Sequence, residues 1–338
     1  IESEKTSLKE GERYKPYTVT VYCIKNITSR IFYLPEMRSA CTKLKYVLQF
    51  WTKQFQTHNI PDPKSSTEFI IAHALGKKTL FGVEPDTLLS KTQTDHVKSF
   101  CKMRLTRMPV QYILGEWDFL DLTLKMRAPV LIPRPETEEL AELCCDTLSH
   151  LPSGEGQVFL EIGPGSGAIT LSLLKRYPEL QAVAVDISEE ACKLTELNAH
   201  NTGTSDRLRV INGDIVDSQV FEQLRTHAPF CLAVSNPPYV TTAEMASLQE
   251  EISCFEDHRA LHGGEDGLDV IREVLLRCSQ LIQPGGHLWL EVGESHPPLV
   301  EKFTAFQETW KELPRQLVYK STITDLYGKP RFCHLITS

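Results

Sequence analysis

The run Asn236-Pro237-Pro238-Tyr239 follows an apolar stretch, 230–234, and so places an amide, two prolines and an aromatic ring at a predicted strand end. Proline fixes its own φ and lacks an N–H, which makes this turn stiff and leaves the carbonyls of Asn236 and Pro237 available as acceptors. Tyr239 offers a ring face to a flat group. These residues suit a planar NH2 group whose nitrogen attacks an activated methyl group. The alternative is a rigid turn after a buried strand.

A glycine-rich segment, Gly163-Pro164-Gly165-Ser166-Gly167, lies upstream, between a predicted buried strand at 157–162 and a predicted helix at 168–176. Glycines at such a point let the backbone come close to a ligand. The spacing differs from the dinucleotide fingerprint, in which a pyrophosphate sits at the helix start. The segment therefore indicates a ligand site without identifying the ligand.

The next predicted strand, 182–185, ends in Asp186. Asp186 follows the glycine segment by about twenty residues, a spacing at which a carboxylate can accept both hydroxyls of a ribose. The alternative role for an acid at this position is a helix cap. A predicted helix at 189–200 and a strand at 208–211 follow, and the strand leads to Asp214.

The glycine segment, the acid and the Asn-Pro-Pro-Tyr turn, in this order at successive strand ends, resemble a class I S-adenosyl-L-methionine methyltransferase acting on an amide or amino nitrogen. Three further segments extend the likeness: Ile132-Pro133-Arg134-Pro135-Glu136-Thr137-Glu138-Glu139, Ala260-Leu261-His262-Gly263-Gly264-Glu265-Asp266-Gly267-Leu268 and Asp325-Leu326-Tyr327-Gly328-Lys329-Pro330-Arg331. Over residues 45–338 the chain resembles the HemK/PrmC family. Its members are peptide chain release factor glutamine N5-methyltransferases.

The resemblance implies S-adenosyl-L-methionine as cofactor and a role for each matching residue. The residues expected to contact the cofactor are Gly163, Pro164, Gly165, Ser166 and Gly167 around its methionine part, Asp186 at its ribose, Asp214 and Ile215 at its adenine, Arg134, Pro135 and Thr137 folded over it, and Asn236. Pro164 departs from the small residue usual in the family and lacks an N–H, so we expect no backbone donation from it. An ordinary helix start is the alternative for Arg134 to Thr137.

The resemblance also implies a protein substrate, the glutamine of the Gly-Gly-Gln loop in peptide chain release factors. An amide nitrogen is a poor nucleophile, so positioning must supply most of the catalysis. We expect the Asn236 side-chain oxygen and the Pro237 carbonyl to accept the two amide hydrogens and Tyr239 to pack on the planar amide. Pro238 belongs to the same expected substrate-binding turn. Two other functions remain open: an adenine-N6-type nucleic-acid methyltransferase, which must flip its base, and a non-catalytic methyltransferase-fold scaffold.

Composition narrows the choice of partner. The 338 residues are 41% hydrophobic and carry a net charge of −8, which disfavours direct nucleic-acid binding. The ten cysteines form no Cys-x-x-Cys pair and the eleven histidines no ligand-spaced cluster, so no metal site is predicted. We expect no membrane span, because no apolar run approaches the roughly twenty residues that a bilayer requires. We expect a monomer.

Strand and helix patterns alternate from Ile132 onward, which predicts a Rossmann-like catalytic domain at 132–338 with a mainly parallel sheet. Its ligands should lie at the carboxyl ends of the strands. A helix at 268–282, a strand at 287–292 and an antiparallel hairpin from 316–319 and 332–336 should complete it. Apolar residues at helical spacing predict an N-terminal helical, substrate-recognising domain at 44–115, and a hairpin linker should occupy 116–131.

Residues 1–43 are predicted to form a separate basic segment before the helical domain. The stretch 13–45 contains one acid, Glu36, among the basic residues Arg13, Lys15, Lys25, Arg30, Arg38, Lys43 and Lys45. This composition is typical of a mitochondrial transit segment and equally of a disordered basic tail. The resemblance favours mitochondria, since organellar and bacterial members carry an N-terminal domain that compact cytosolic relatives lack; a cytoplasmic location is the alternative.

Overall fold

The computed structural model describes residues 42–151 and 157–338. The chain divides into two compact units between Arg107 and Met108. Of the basic segment predicted at 1–43, residues 1–41 lie outside the described residues, so its character stays a prediction. The domain limits predicted at residues 115 and 131 also stay predictions.

The unit before Met108 is helical where it is described, as the apolar spacing predicts. Its helices are α1 (Leu44–Thr57), α2 (Pro63–Ala74) and α3 (Lys91–Leu105). α1 buries one face, formed by Leu44, Val47, Trp51 and Phe55. At the start of α3 the Ser90 hydroxyl accepts a hydrogen bond from the backbone N–H of Gln93, whose side chain accepts from Ser90 N–H. This reciprocal pair satisfies two amides at the helix start.

The second unit begins with a short helix, α4 (Val110–Leu114), and the predicted hairpin, which the structure confirms. Strands β1 (Glu116–Phe119) and β2 (Leu122–Lys125) pair antiparallel, with Glu116 opposite Lys125. The hairpin is tied to the rest of this unit through Asn198, whose side chain accepts from Lys125 N–H at 2.8 Å and donates to Lys125 C=O at 3.1 Å.

A seven-stranded sheet in the order β5-β4-β3-β6-β7-β9-β8 confirms the predicted fold class. The first five strands of this order are parallel, and β9 and β8 add the antiparallel hairpin predicted for the C-terminal part. The strands are β3 (Val158–Ile162), β4 (Gln181–Asp186), β5 (Leu208–Asn212), β6 (Phe230–Ser235), β7 (Ile282–Glu291), β8 (Leu317–Thr324) and β9 (Pro330–Thr337).

Helices connect these strands and cover both faces of the sheet. They are α5 (Pro135–His150), α6 (Ala168–Arg176), α7 (Glu189–Thr202), α8 (Ser218–Arg225), α9 (Thr242–Met245), α10 (Glu250–Ser253), α11 (Asp269–Leu281) and α12 (Pro297–Ala305). Successive side chains of β3 point to opposite faces of the sheet and pack into two different hydrophobic clusters. Phe159 packs into the cluster with α5 and α6, whereas Leu160 packs into the cluster with α8 and α11. Burial of each such side chain contributes roughly 1.5–3 kcal/mol.

The junction of α11 and β7 differs from the prediction. The helix ends at Leu281, and the strand begins directly at Ile282 instead of at His287. Pro284, Gly285 and Gly286 lie within the strand, as a bulge between the pairs Phe230–Ile282 and Leu232–His287. The Pro-Gly-Gly run was expected to separate the elements, but a bulge absorbs it without ending the strand.

Across the described ranges, no helix combines the length and the apolar character that a membrane span requires.

Candidate active site

The carboxyl ends of β3, β4, β5 and β6 meet at one edge of the sheet and border a cavity of about 200 Å³. Of the residues predicted from the sequence, those that line this cavity are Gly163, Gly165, Asp186, Asp214, Ile215, Asn236, Pro237 and Pro238. Those that do not line it are Arg134, Pro135, Thr137, Pro164, Ser166, Gly167 and Tyr239. Parallel strands explain the convergence, since all of them present the same end to one edge.

Backbone conformation explains the glycines of the segment after β3. Gly163, Gly165 and Gly167 have φ values of 75°, 58° and 83°, a region of backbone conformation that residues other than glycine rarely adopt. A Cβ at Gly163 would meet no atom within 4 Å, whereas one at Gly167 would lie 3.0 Å from Leu171. The first glycine therefore leaves open space beside the cavity, and the third allows close packing of α6.

The predicted ribose acid, Asp186, lies at the end of β4 beside that segment. Its carboxylate accepts hydrogen bonds from Gly165 N–H at 3.2 Å and Ser188 N–H at 2.9 Å. Burial raises the pKa of Asp186 despite these two hydrogen bonds. A ligand that donates further hydrogen bonds would stabilise the carboxylate, as a pair of ribose hydroxyls would.

Asp214 and Ile215 follow β5 on the same cavity. The Asp214 carboxylate accepts from Val216 N–H at 3.0 Å, and Ile215 is buried. Ile187, which the sequence interpretation missed, adds a half-exposed apolar side chain to the lining. Two apolar side chains close to an acid make a suitable border for a flat ring with polar edges.

The Asn236–Tyr239 turn rests on the backbone of the 260–268 segment. Val240 N–H donates to Leu261 C=O and Gly263 N–H to Val240 C=O, both at 2.8 Å. A Cβ at Gly263 would lie 2.7 Å from the Pro238 oxygen, and one at Gly267 would lie 2.4 Å from the Tyr239 oxygen. These glycines let the two segments touch, so the 260–268 segment, whose Ala260 also lines the cavity, supports the turn.

Tyr239 lies half-buried behind the cavity. Its ring meets His296 edge to face, with centroids 6.3 Å apart, and burial raises its pKa to about 12. The phenol therefore stays neutral near pH 7, which suits packing or hydrogen bonding.

A hydrogen-bonded chain of three polar side chains leads from the partly buried Asn236 to two buried residues, Thr137 and Glu291. Asn236 Nδ2 donates to Thr137 Oγ1 at 3.2 Å, and that hydroxyl donates to Glu291 Oε2 at 2.9 Å. Burial raises the pKa of Glu291 to about 7, although the hydrogen bond from Thr137 lowers it. The sequence interpretation missed Glu291, yet it shares with Asp186 the available signal, an acid at the end of an apolar strand.

Arg134 and Pro135 also lie behind the cavity. Pro135 begins α5, and Arg134 Nη2 donates to both oxygens of the buried Glu256 carboxylate, at 2.6 and 2.8 Å. Asp257 and Arg259, which follow Glu256, line the cavity. Sequence reasoning missed all three because no local pattern placed this loop at the sheet edge.

The charged side chains lining the cavity are Asp186, Asp214, Asp257 and Arg259. Arg259 is already paired with Asp257, with Nη2 2.6 Å from Oδ2. The lining therefore has an acidic excess, which favours a cationic ligand. In the described ranges, no group of three or more His, Cys, Asp or Glu side chains is arranged to hold a metal ion.

Family models match two parts of the sequence. The PrmC N-terminal domain matches residues 47–115, and the methyltransferase small domain matches residues 146–256.

Curated proteins are similar over most of the chain. A human protein named MTRF1L release factor glutamine methyltransferase is 40% identical over 296 residues, which are 86% of this chain and 86% of that protein. The release factor glutamine methyltransferase of Chlorobaculum tepidum is 32% identical over 77% of this chain and 87% of its own length. That of Koribacter versatilis is 30% identical over 85% of this chain and 96% of its own length.

Proposed function

The chain belongs to the release factor glutamine methyltransferase family, and we propose from this premise that it methylates the side-chain amide nitrogen (N5) of the glutamine in the Gly-Gly-Gln motif of peptide chain release factors. S-adenosyl-L-methionine is the proposed methyl donor. The observation that carries the proposal is the sharing of one cavity by the Asn-Pro-Pro turn and by Gly163, Gly165 and Asp186.

The residues around the cavity fit this cofactor. Open space beside Gly163 accommodates a closely approaching ligand, Asp186 has acceptor capacity for ribose hydroxyls, and Asp214 and Ile215 suit the edge and face of adenine. The acidic excess of the lining suits a cation. When bound, the cofactor supplies an electrophilic methyl group on a positively charged sulfur.

Positioning is the chemical task of Asn236 and Pro237. Their side-chain and backbone oxygens accept the two hydrogens of the glutamine amide, which fixes its plane and directs the nitrogen toward the methyl group. As the N–C bond forms, the methyl–sulfur bond breaks and its electrons stay on sulfur. The extra proton on nitrogen then passes to solvent. A general base is not required before transfer.

The family distinguishes this substrate from adenine, whose N6 amino group an Asn-Pro-Pro-Tyr turn could also hold. The relatives named above are release factor enzymes, and the net charge of −8 disfavours a nucleic-acid surface. We further propose that the protein acts in mitochondria and supports translation termination there, because its basic N-terminal composition is compatible with a transit segment and it resembles the family members that carry an N-terminal domain. We also propose a monomer. Imaging of a fluorescent protein fused behind residues 1–43 tests the location.

Tandem mass spectrometry tests the reaction. Purified protein is incubated with S-adenosyl-L-methionine and a mitochondrial release factor, and the Gly-Gly-Gln peptide is searched for one added methyl on the glutamine side chain. A release factor with that glutamine replaced by glutamate is the matched control. An unmodified peptide, under conditions where cofactor binding is measured, would overturn the proposed substrate.

A further inference from the structure

The Asn236 amide of the Asn-Pro-Pro turn is connected by hydrogen bonds to the Thr137 hydroxyl and, through it, to the Glu291 carboxyl group. Thr137 Oγ1 lies 2.9 Å from Glu291 Oε2 and 3.2 Å from Asn236 Nδ2. Glu291 and Thr137 are 2% and 4% exposed, so water does not compete for the hydrogen bond between them. The three residues come from β7, the first turn of α5 and the end of β6.

The number of hydrogens determines the direction of each hydrogen bond. An ionised carboxylate only accepts, so the single hydroxyl hydrogen of Thr137 points to Glu291. That hydroxyl can then only accept from Asn236, which must present its NH2 group. The Asn236 oxygen is thereby turned away from Thr137, and Asn236 itself lines the cavity.

We propose that Glu291, acting through Thr137, is a positioning residue that holds the Asn236 amide with its oxygen toward the substrate. This inference rests on the proposed function, in which that oxygen accepts a hydrogen from the glutamine amide. Without the constraint an Asn side chain can rotate by half a turn, since its two ends are nearly equal in size. The rotated amide presents NH2 to the substrate NH2, two donors facing each other.

Arg331 and Glu136 are the charged groups that face Glu291 from neighbouring elements, and Tyr239 faces it from the turn. Arg331 is shared with Asp325 and Glu294, at 3.7 and 3.5 Å. Arg331 thus favours the ionised form of Glu291 and Glu136 opposes it, while Thr137 donates a hydrogen bond directly to the Glu291 carboxylate.

Three variants of the full chain test the inference. Thr137→Val keeps the side-chain shape and removes the hydroxyl; Thr137→Ser keeps the hydroxyl; and Glu291→Gln allows either hydrogen-bond direction. We expect kcat on the release factor to fall on the order of 10²-fold in Thr137→Val, as for a misplaced reacting group. Thr137→Ser should restore most of this loss, and Glu291→Gln should lie between the two. Cofactor Kd should change little, because Thr137 and Glu291 do not line the cavity.

Wild-type turnover reports on the proposed function by itself, whereas the ratio between Thr137→Val and Thr137→Ser reports on amide orientation. Equal turnover in these two variants, with equal melting temperatures, would overturn the inference and leave the proposed function intact. A Thr137→Val variant that loses cofactor affinity in proportion to turnover would also overturn it, since the hydroxyl would then act on the cofactor.

Discussion

Arg134 lies with one nitrogen, Nη2, between both carboxylate oxygens of Glu256, 2.6 and 2.8 Å away. The carboxylate is 1% exposed and the guanidinium side chain 32% exposed. Burial raises the pKa of Glu256, and Arg134 opposes that shift. The pair connects the start of α5 to the loop that brings Asp257 and Arg259 to the cavity.

We expect Arg134→Ala to lower the free energy of unfolding by about 3 kcal/mol, because it leaves a buried carboxylate without its partner. Cofactor affinity should also fall, since Asp257 and Arg259 lose their support. Urea unfolding and calorimetric titration measure the two effects. Arg176→Ala is the matched control: its pair with Glu142 is about half exposed on both sides, and its loss should cost less than 1 kcal/mol. Equal losses in both variants would contradict this role of Arg134.

Gly267→Ala should displace the Asn236–Tyr239 turn. The residue has φ +74°, and a Cβ there would lie 2.4 Å from the Tyr239 oxygen and 2.7 Å from the His296 ring. We expect turnover to fall at least on the order of 10²-fold through displacement of the turn. Gly285→Ala provides the control, because its φ is +71° and its Cβ would meet nothing within 4 Å. Similar turnover in both variants would mean that backbone strain, and not the clash, matters.

Asn236 and Asp186 line one cavity and should have opposite kinetic signatures. Asn236→Ala should abolish turnover with little change in cofactor affinity, since it removes an acceptor for the substrate amide. Asp186→Asn should weaken cofactor binding by about 1.5–3 kcal/mol, the value of a hydrogen bond to a charged group, and leave kcat at saturating cofactor far less affected. Single-turnover kinetics with separate cofactor titration distinguishes them. Retained turnover in Asn236→Ala would remove its positioning role.

Local sequence pattern was sufficient to predict which residues lie at the strand ends, but not which distant side chains contact each other around the site. Gly163, Asp186 and Asn236 could be placed at one edge because each follows an apolar run and parallel strands share an edge. Thr137 and Glu291 are 154 residues apart, and Arg134 and Glu256 are 122 apart. Such pairs arise where the start of α5 meets the sheet at Glu291 and a distant loop at Glu256, which short-range spacing does not encode. The predicted start of β7 at His287 was wrong for a related reason. Pairing with β6 extends the strand back to Ile282, although Pro284, Gly285 and Gly286 locally favour a break.

Stability should depend on pH through Glu161, a buried acid on β3. Its carboxylate accepts from the backbone N–H and the hydroxyl of Thr170, yet burial raises its pKa from 4.5 to about 7. The folded state therefore binds this proton more tightly than the unfolded state, so stability is fully present below about pH 4.5 and is lost as pH rises through about 7. The loss approaches about 3 kcal/mol, at 1.36 kcal/mol for each unit of pKa difference.

Urea titrations of wild type and Glu161→Gln at several pH values measure this term. The difference in free energy of unfolding should move in favour of the variant as pH rises from about 4.5 to about 7, because glutamine does not titrate. A difference that is constant across this window would contradict the raised pKa.

Turnover should show the opposite dependence through Glu291, whose pKa burial raises to about 7. Above that pH the carboxylate accepts from Thr137, Thr137 accepts from Asn236, and the Asn236 oxygen faces the substrate. Below it the neutral carboxyl group can donate to Thr137, whose hydroxyl hydrogen is then free to point at Asn236 and favour the rotated amide. We therefore expect kcat to rise with pH through about 7 and then level off. Glu291→Gln should remove this rise in kcat. Glu161→Gln should keep it, because Glu161 has a similar pKa but is not hydrogen-bonded to Thr137 or Asn236. A step that persists in Glu291→Gln would assign the titration to another group, with His296, which packs against Tyr239, as the first to examine.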